Sequence, residues 1–276
     1  PSDDGSSDGI ALTVHEACAL ARSVVAPQRA LAAKKLATCF DDVKAFPTDG
    51  SRSAGAEDVG AALLLLVRDR HVSVITHGLD AISACVRSPR AARAWHRRQA
   101  CGVHRHGHEP FDTALADDSS APTRARVISE LVAAGLVDTL LRLLGSRPLQ
   151  AAVAACALGT LVALATCASP LARERLAKAR GQLVACVAQL LEPRANDPLP
   201  YVLTLGAPAT TLGVVLLREL LSLAREPAAA ATTARELERS VLPVLSGLLL
   251  LGDQGIPGLV DVQLEVLRLV RQCLAH

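Results

Sequence analysis

The stretch ACALARSVVAPQRALAAKKLA, Ala17 to Ala37, decides the fold. It predicts two helices broken at Ala26-Pro27, because a residue before proline is steered away from helical geometry while proline itself suits a first helical turn. In the second helix Leu31, Lys35 and Thr38 fall on one side, with Ala30, Ala33, Ala37 and Phe40 on others. Most of that surface is small and apolar, so helices can approach closely on more than one side. Stacked helical repeats need such surfaces.

Working outward, helical segments recur between turn residues. Val59 to Arg68 and His71 to Val86 form a second pair around Asp69-Arg70, and Val72, Ile75, Leu79, Ile82 and Val86 keep amphipathic spacing. Phe46 to Glu57 is a loop by composition. A third pair runs from Thr123 to Ala133, turns at Gly135 and continues to Leu144. Pro148 opens a long helix to Ala168, Pro170 another to Ala179, and Gly181 to Leu191 follows. Thr210 to Arg225, Thr233 to Leu251 and Leu259 to Ala275 complete the series. No segment shows strand alternation. Helix pairs spaced about forty residues apart mark armadillo or HEAT arrays. The expected fold is all-α: an irregular, right-handed armadillo/HEAT-like alpha solenoid of antiparallel helix pairs. Residues 1–9 are expected to form a disordered tail and residues 10–276 one solenoid domain, with a loop insertion at 87–120 and a Pro-rich break at 192–208.

Composition agrees with this class. Half of the 276 residues are hydrophobic, yet five are aromatic and none is methionine, so Leu, Val and Ala must build the core. Twenty-five arginines stand against four lysines, first a sign of GC-rich coding and second of arginine chosen for phosphate. The net charge of +2 demands no polyanionic partner. Eight cysteines without a Cys-x-x-Cys pair imply buried, reduced thiols and an intracellular home. The chain opens at Pro1 rather than methionine and is expected to be a fragment of a longer one. Ala151 to Ala168 is apolar enough to pose a membrane span, but it lacks flanking aromatics, and a helix packed on all sides looks the same. No membrane contact is expected.

Two stretches resemble a known family. Ala21 to Ala32 (ARSVVAPQRALA), followed by Leu36-Ala37, is similar to the segment that opens a helical repeat in the RNA polymerase II-associated protein 1 family, whose plant members are called MINIYO. Val67 to Ile75 (VRDRHVSVI), then Leu79 and Ala81, fits the same family and register, and Arg126 to Leu144 matches more loosely. The resemblance spans roughly two thirds of the chain and leaves out the last seventy residues and the histidine-rich insertion. It implies a non-enzymatic repeat scaffold acting with RNA polymerase II subunits or assembly factors, in polymerase assembly, nuclear import or transcription, in nucleus and cytoplasm. It carries no catalytic residues. Arg22, Ser23, Pro27, Gln28 and Arg29 are its family-like positions, expected to set repeat geometry, with Arg29 a candidate cross-link between helix pairs.

The one constellation with chemistry is Arg87 to His108, which holds six arginines, Trp95, Cys101 and four histidines before the first acid at Glu109. Arg90, Arg93, Arg97 and Arg98 are candidates for contact with a polyanion or acidic partner. Cys101, His104, His106 and His108 suit zinc by type but not by spacing. The third reading is a solvated loop balanced by Asp112, Asp117 and Asp118. No phosphate loop, dinucleotide fingerprint or nucleophile elbow occurs, so the expectation is no enzyme, no cofactor and no metal. The rival functions are a generic protein-binding adaptor unrelated to polymerase and a nucleic-acid-binding solenoid using the arginine cluster.

Overall fold

Thr13 starts the first helix. Its Oγ1 accepts the Glu16 backbone N–H at 3.2 Å, and Glu16 Oε2 accepts the Thr13 N–H at 2.7 Å. This capping box satisfies two donors that a helix start leaves unpartnered, and the Thr13 bonds hold the Glu16 carboxyl below its usual range. α1 (Val14–Leu20) is followed by α2 (Ala26–Asp41), so the break lies at 21–25 and Ala26 is already helical. Ser23 is the reason: its hydroxyl accepts the Val25 N–H at 3.1 Å and closes the reversal before Pro27 is reached.

The computed structural model describes residues 12–41, 55–87, 121–146, 148–167, 169–191, 206–224, 226–250 and 257–276. Beyond α2 it contains α3 (Ala56–Val67), α4 (Val72–Val86), α5 (Ala121–Ala133), α6 (Leu136–Gly145), α7 (Ala151–Thr166) and α8 (Pro170–Lys178). Then come α9 (Arg180–Leu191), α10 (Ala207–Ser222), α11 (Pro227–Ser240), α12 (Leu242–Leu250) and α13 (Leu259–Cys273). No strand occurs among the described residues. The tail at 1–9, nearly all of the 87–120 insertion and residues 192–205 of the Pro-rich break lie outside them.

The architecture is an irregular armadillo/HEAT-like α-solenoid. Five long helices, α2, α4, α7, α10 and α13, stack one on the next into a layer. The shorter helices back it, with α1 against α3 and α3 against α5. α1–α2 and α3–α4 are pairs, whereas two short helices precede each of α7, α10 and α13. One of these subdivisions corrects the reading of Thr233 to Leu251 as a single helix. Pro243 has no N–H to give the preceding turn, so α11 stops at Ser240 and α12 starts afresh at Leu242. α10 starts at Ala207 rather than Thr210, because Gly206 adopts a φ of 97° that sets up the turn and Pro208 fits the first helical turn.

The apolar run that suggests a membrane is likewise divided. α7 and α8 meet at 119°, and no single helix among the described residues is long and apolar enough to cross a bilayer. α7 is apolar all round because α4, α6, α8 and α10 pack against most of its surface, leaving Ala151 and Ala152 exposed at its start. Close packing extends through the layers. A Cβ on Gly78 would lie 3.1 Å from Leu66 Cβ, so α3 and α4 approach closely enough that a side chain there would crowd Leu66 and Val67. Gly135, at φ 88°, ends α5 and starts α6 in the left-handed region.

Polar groups inside this core are paired. Ser83 of α4 and Thr160 of α7 share a hydrogen bond of 2.9 Å, both buried. Arg124 at the start of α5 is 4% exposed. Its Nη1 donates to Arg87 O at 2.8 Å and Ala84 O at 3.3 Å, and its Nη2 donates to Phe40 O. One guanidinium thus gathers carbonyls from the C-terminal ends of both α2 and α4, groups a helix cannot satisfy itself. Arg124→Ala should cost about 3 kcal/mol, as several buried acceptors lose their donor, and Arg124→Lys should recover little because an ammonium cannot span two helix ends. Shifts in the urea unfolding midpoint check both.

Candidate functional site

Two regions are candidates for function: the junction made by the family-like residues and the open face of the long helices. At the junction, Arg22 Nη1 donates to Cys18 O at 3.2 Å and so caps α1. Ser23 Oγ donates to Gln28 Oε1. Pro27 lies exposed in the first turn of α2. Arg29 reaches furthest. Its Nη1 donates to Ser23 O at 2.8 Å, while Nε and Nη2 grip the Asp69 carboxylate at 2.5 and 3.2 Å. Asp69 sits in the α3–α4 turn and also accepts the His71 N–H at 2.9 Å. The fork ties the first reversal to the second, and the two side chains are only 13% and 8% exposed.

This motif continues along the molecule. From the α3–α4 turn, Arg68 Nη2 donates to Ala134 O at 3.1 Å in the α5–α6 turn. From α8, Arg175 Nη2 meets Asp138 Oδ2 of α6 at 2.7 Å. Arginines thus link successive turns.

The open face is formed by residues of the long helices that no helix covers. α2 contributes Leu31, Lys34 and Thr38; α4 contributes Ser73 and Asp80; α7 contributes Ala152. Across the α4–α7 seam, Cys156 Sγ donates to Asp80 Oδ1 at 3.6 Å, and His77 Nδ1 lies 3.8 Å from Asp80 Oδ2. A Cβ added to Gly159 would meet Leu212 Cδ1 at 3.7 Å and Arg87 Nη2 at 4.0 Å, so the Arg87 head lies over α7 and Leu212 reaches it from α10. Ala152 is exposed and Ala155 half-buried on α7, while Gly159 is buried beneath Leu212 and Arg87.

Cysteine, histidine and aspartate meet here, but not in an order that makes a nucleophile. The carboxylate, not the imidazole, takes the thiol. Burial, and then the Asp80 charge, push Cys156 up to about 12, so it remains a neutral donor rather than a thiolate. Among the described residues no group of three or more His, Cys, Asp or Glu has the arrangement to hold a metal ion. Burial also pushes Cys18 up to about 11 and Cys85 up to about 12.

Arg90, Arg93, Arg97 and Arg98, with Cys101 and the four clustered histidines, lie outside the described residues. The alternation of Arg218, Arg225, Arg235 and Arg239 with Glu219, Glu226, Glu236 and Glu238 reads in the sequence as a solvated helix surface with local ion pairs, but Arg218 and Glu219 of α10 are not part of one. Arg218 Nη1 bonds Glu265 Oε2 of α13 at 2.7 Å, its Nη2 bonds Glu219 Oε1 at 3.1 Å, and Arg268 also bonds Glu265, which is 2% exposed. Sequence reading missed this network because its members are 47 residues apart in the chain.

No family model matches the chain, and no curated protein does. Among solved structures, an engineered protein from the Northeast Structural Genomics Consortium is 17% identical with a TM-score of 0.46, covering 95% of this chain and 96% of that one. A second engineered protein from the same consortium is 17% identical with a TM-score of 0.47, covering 95% and 99%.

Burial alone would raise the Asp69 carboxyl, but bonds from Arg29 and from the His71 and Arg70 N–H groups outweigh it and hold the group below its usual range. A depressed folded-state value means stabilisation that is present above the unfolded pKa, about 4, and is lost as pH falls through the folded one. Asp69→Asn should cost about 1–2 kcal/mol at neutral pH. It should also flatten the acid limb of a stability-versus-pH curve below about pH 4, measured by urea unfolding across pH.

Proposed function

We propose that the chain is a non-catalytic scaffold that holds a protein partner along the open face of its long helices, and that the partner belongs to the RNA polymerase II machinery. One observation supports the family part of this reading. The stretches similar to the RNA polymerase II-associated protein 1 family, residues 21–32 and 67–75, come together at a single bidentate ion pair, Arg29 to Asp69. The family-like residues therefore act as one structural unit rather than as unrelated helical runs. Their role is to fix the relation between successive reversals, which sets the spacing of α2 and α4 on the binding face.

The face supports the scaffold part. Its middle is floored by the exposed Ala152 and the half-buried Ala155, and its sides carry Lys34, Asp80 and Arg87, a mixed surface with short side chains at the centre. A partner helix or extended segment can lie on such a floor with its backbone close, and charges at the sides set its direction. The reading implies action in polymerase assembly, nuclear import or transcription, in nucleus and cytoplasm.

The test is affinity purification of the tagged protein from its own cell extract, with mass spectrometry of what is retained. Polymerase II subunits should be enriched over a control solenoid. Ala152→Arg combined with Ala155→Arg should lower that enrichment at least tenfold, an effect of about 1.4 kcal/mol or more, while helical circular dichroism stays unchanged. Retention of no polymerase subunit would contradict the polymerase reading. Undiminished retention by the double variant would place the partner elsewhere on the surface.

A further inference from the structure

Where the α3–α4 turn meets the α5–α6 turn, two arginines converge on one hydroxyl. Arg68 Nε donates to Thr139 Oγ1 at 3.4 Å, and Arg142 Nη2 donates to the same oxygen at 3.2 Å. Thr139 is 3% exposed, and its own proton goes to Gly135 O at 3.0 Å. The hydroxyl therefore serves two donors and offsets neither charge. The acids beside these arginines are engaged elsewhere. Asp69 is gripped by Arg29, and Asp138, one turn before Arg142, is bonded to Arg175. Among the described residues neither Arg68 nor Arg142 lies within ion-pair distance of a carboxylate. Both residues are exposed, as is Arg70 in the same α3–α4 turn. Two like charges are thus held side by side at the surface with no acid between them.

We propose that Arg68 and Arg142 bind a carboxylate of an acidic peptide segment from a partner protein. Their nitrogens share one oxygen, so a single carboxylate can touch both groups. Thr139 and the Ala134 carbonyl, which accepts Arg68 Nη2 at 3.1 Å, fix the heads beforehand, so less freedom is lost on binding. Each guanidinium keeps N–H donors that these bonds do not use, in a planar fork suited to a carboxylate. Leu65, three residues before Arg68 and 46% exposed, sets an apolar contact beside the charges. The segment that fits carries an apolar side chain next to its acid. Nucleic acid also brings oxyanions, but single strands are held by stacking on exposed aromatic rings as well as by charge. Among the described residues the one Phe, Tyr or Trp is Phe40, which is fully buried. The site lies at the turns rather than on the open face, and it does not depend on the polymerase reading.

Fluorescence anisotropy of a labelled peptide of glutamates around one leucine, mixed with the whole chain at low salt, tests this. The peptide should bind, release as salt is raised, and lose binding when its glutamates are replaced by glutamine. Arg142→Gln should weaken binding about tenfold, the loss of one charge-assisted contact. Helical circular dichroism and the urea midpoint should not change, because Thr139 keeps its bonds to Gly135 and Arg68. Leu65→Asp, which alters neither arginine's hydrogen bonds, should weaken binding as much by setting a like charge against the peptide. Arg239→Gln, which removes an exposed arginine of α11, should change nothing. No binding of the glutamate peptide, equal binding of the glutamine peptide, or equal losses from Arg142→Gln and Arg239→Gln overturns the proposal. So does tighter, Arg142-dependent binding of an oligothymidylate, which would assign the site to nucleic acid.

Discussion

The carbonyl groups at helix C-termini are the constraint on which this structure depends. A helix leaves its last four carbonyls without internal partners, and a solenoid of short helices multiplies such ends. Here the donors are arginine side chains. Arg22 serves Cys18 O, Arg68 serves Ala134 O, and Arg173 serves Cys167 O. Arg124 serves α2 and α4 together. The guanidinium suits this task because it is a planar fork that remains charged and reaches several acceptors at once. Since the carbonyls it reaches often belong to another repeat, satisfying them also sets the spacing between repeats. In this structure, capping a helix and docking a neighbour are frequently the same act.

The core follows from what the chain lacks. Without methionine and almost without aromatics, gaps must be closed by bringing helices together rather than by large side chains filling space. Gly78 against Leu66, and Gly60 with its Cβ position 3.3 Å from Glu130 Cβ, mark where backbones have moved close. α7 is the extreme case. Its alanines and Gly159 let four helices surround it, and the Ser83–Thr160 bond gives an otherwise uniform apolar contact one polar fixed point. The same smallness leaves a low floor on the open face, so a packing solution also shapes the candidate binding surface.

What was legible in the sequence was periodic. Ile75, Leu79, Ile82 and Val86 are all buried as their spacing requires, and the turn at Gly135 needs the left-handed backbone that glycine supplies. The class of the fold was therefore readable. Less readable were the ends. The first break moved to 21–25 because a serine hydroxyl closed it, and Val241 divided an apparently continuous helix because of Pro243. Least readable were residues whose partners lie far along the chain. Nothing local distinguishes Arg124, whose acceptor at Phe40 is 84 residues away, from the neighbouring Arg126. Glu265 looks like an ordinary surface acid until α13 is stacked on α10 and Arg218 meets it. Of the candidate site, the residues of the open face share no spacing, since each is exposed by the packing of its own helix. The signal that exists is the abundance of arginine over lysine, which composition shows but cannot place.

Native-state hydrogen exchange on an Arg29→Met, Arg68→Met variant tests most directly whether arginines at helix ends hold the repeats in register. These two side chains join the first three reversals without contributing to the apolar core. The account predicts that amides in α1 to α6 lose protection together, while α10 and α13, held by the Arg218–Glu265 contact, keep theirs, because solenoid stability is passed between neighbours. Loss confined to the turns, or an equal loss throughout the chain, would contradict it and return the origin of repeat spacing to the apolar core alone.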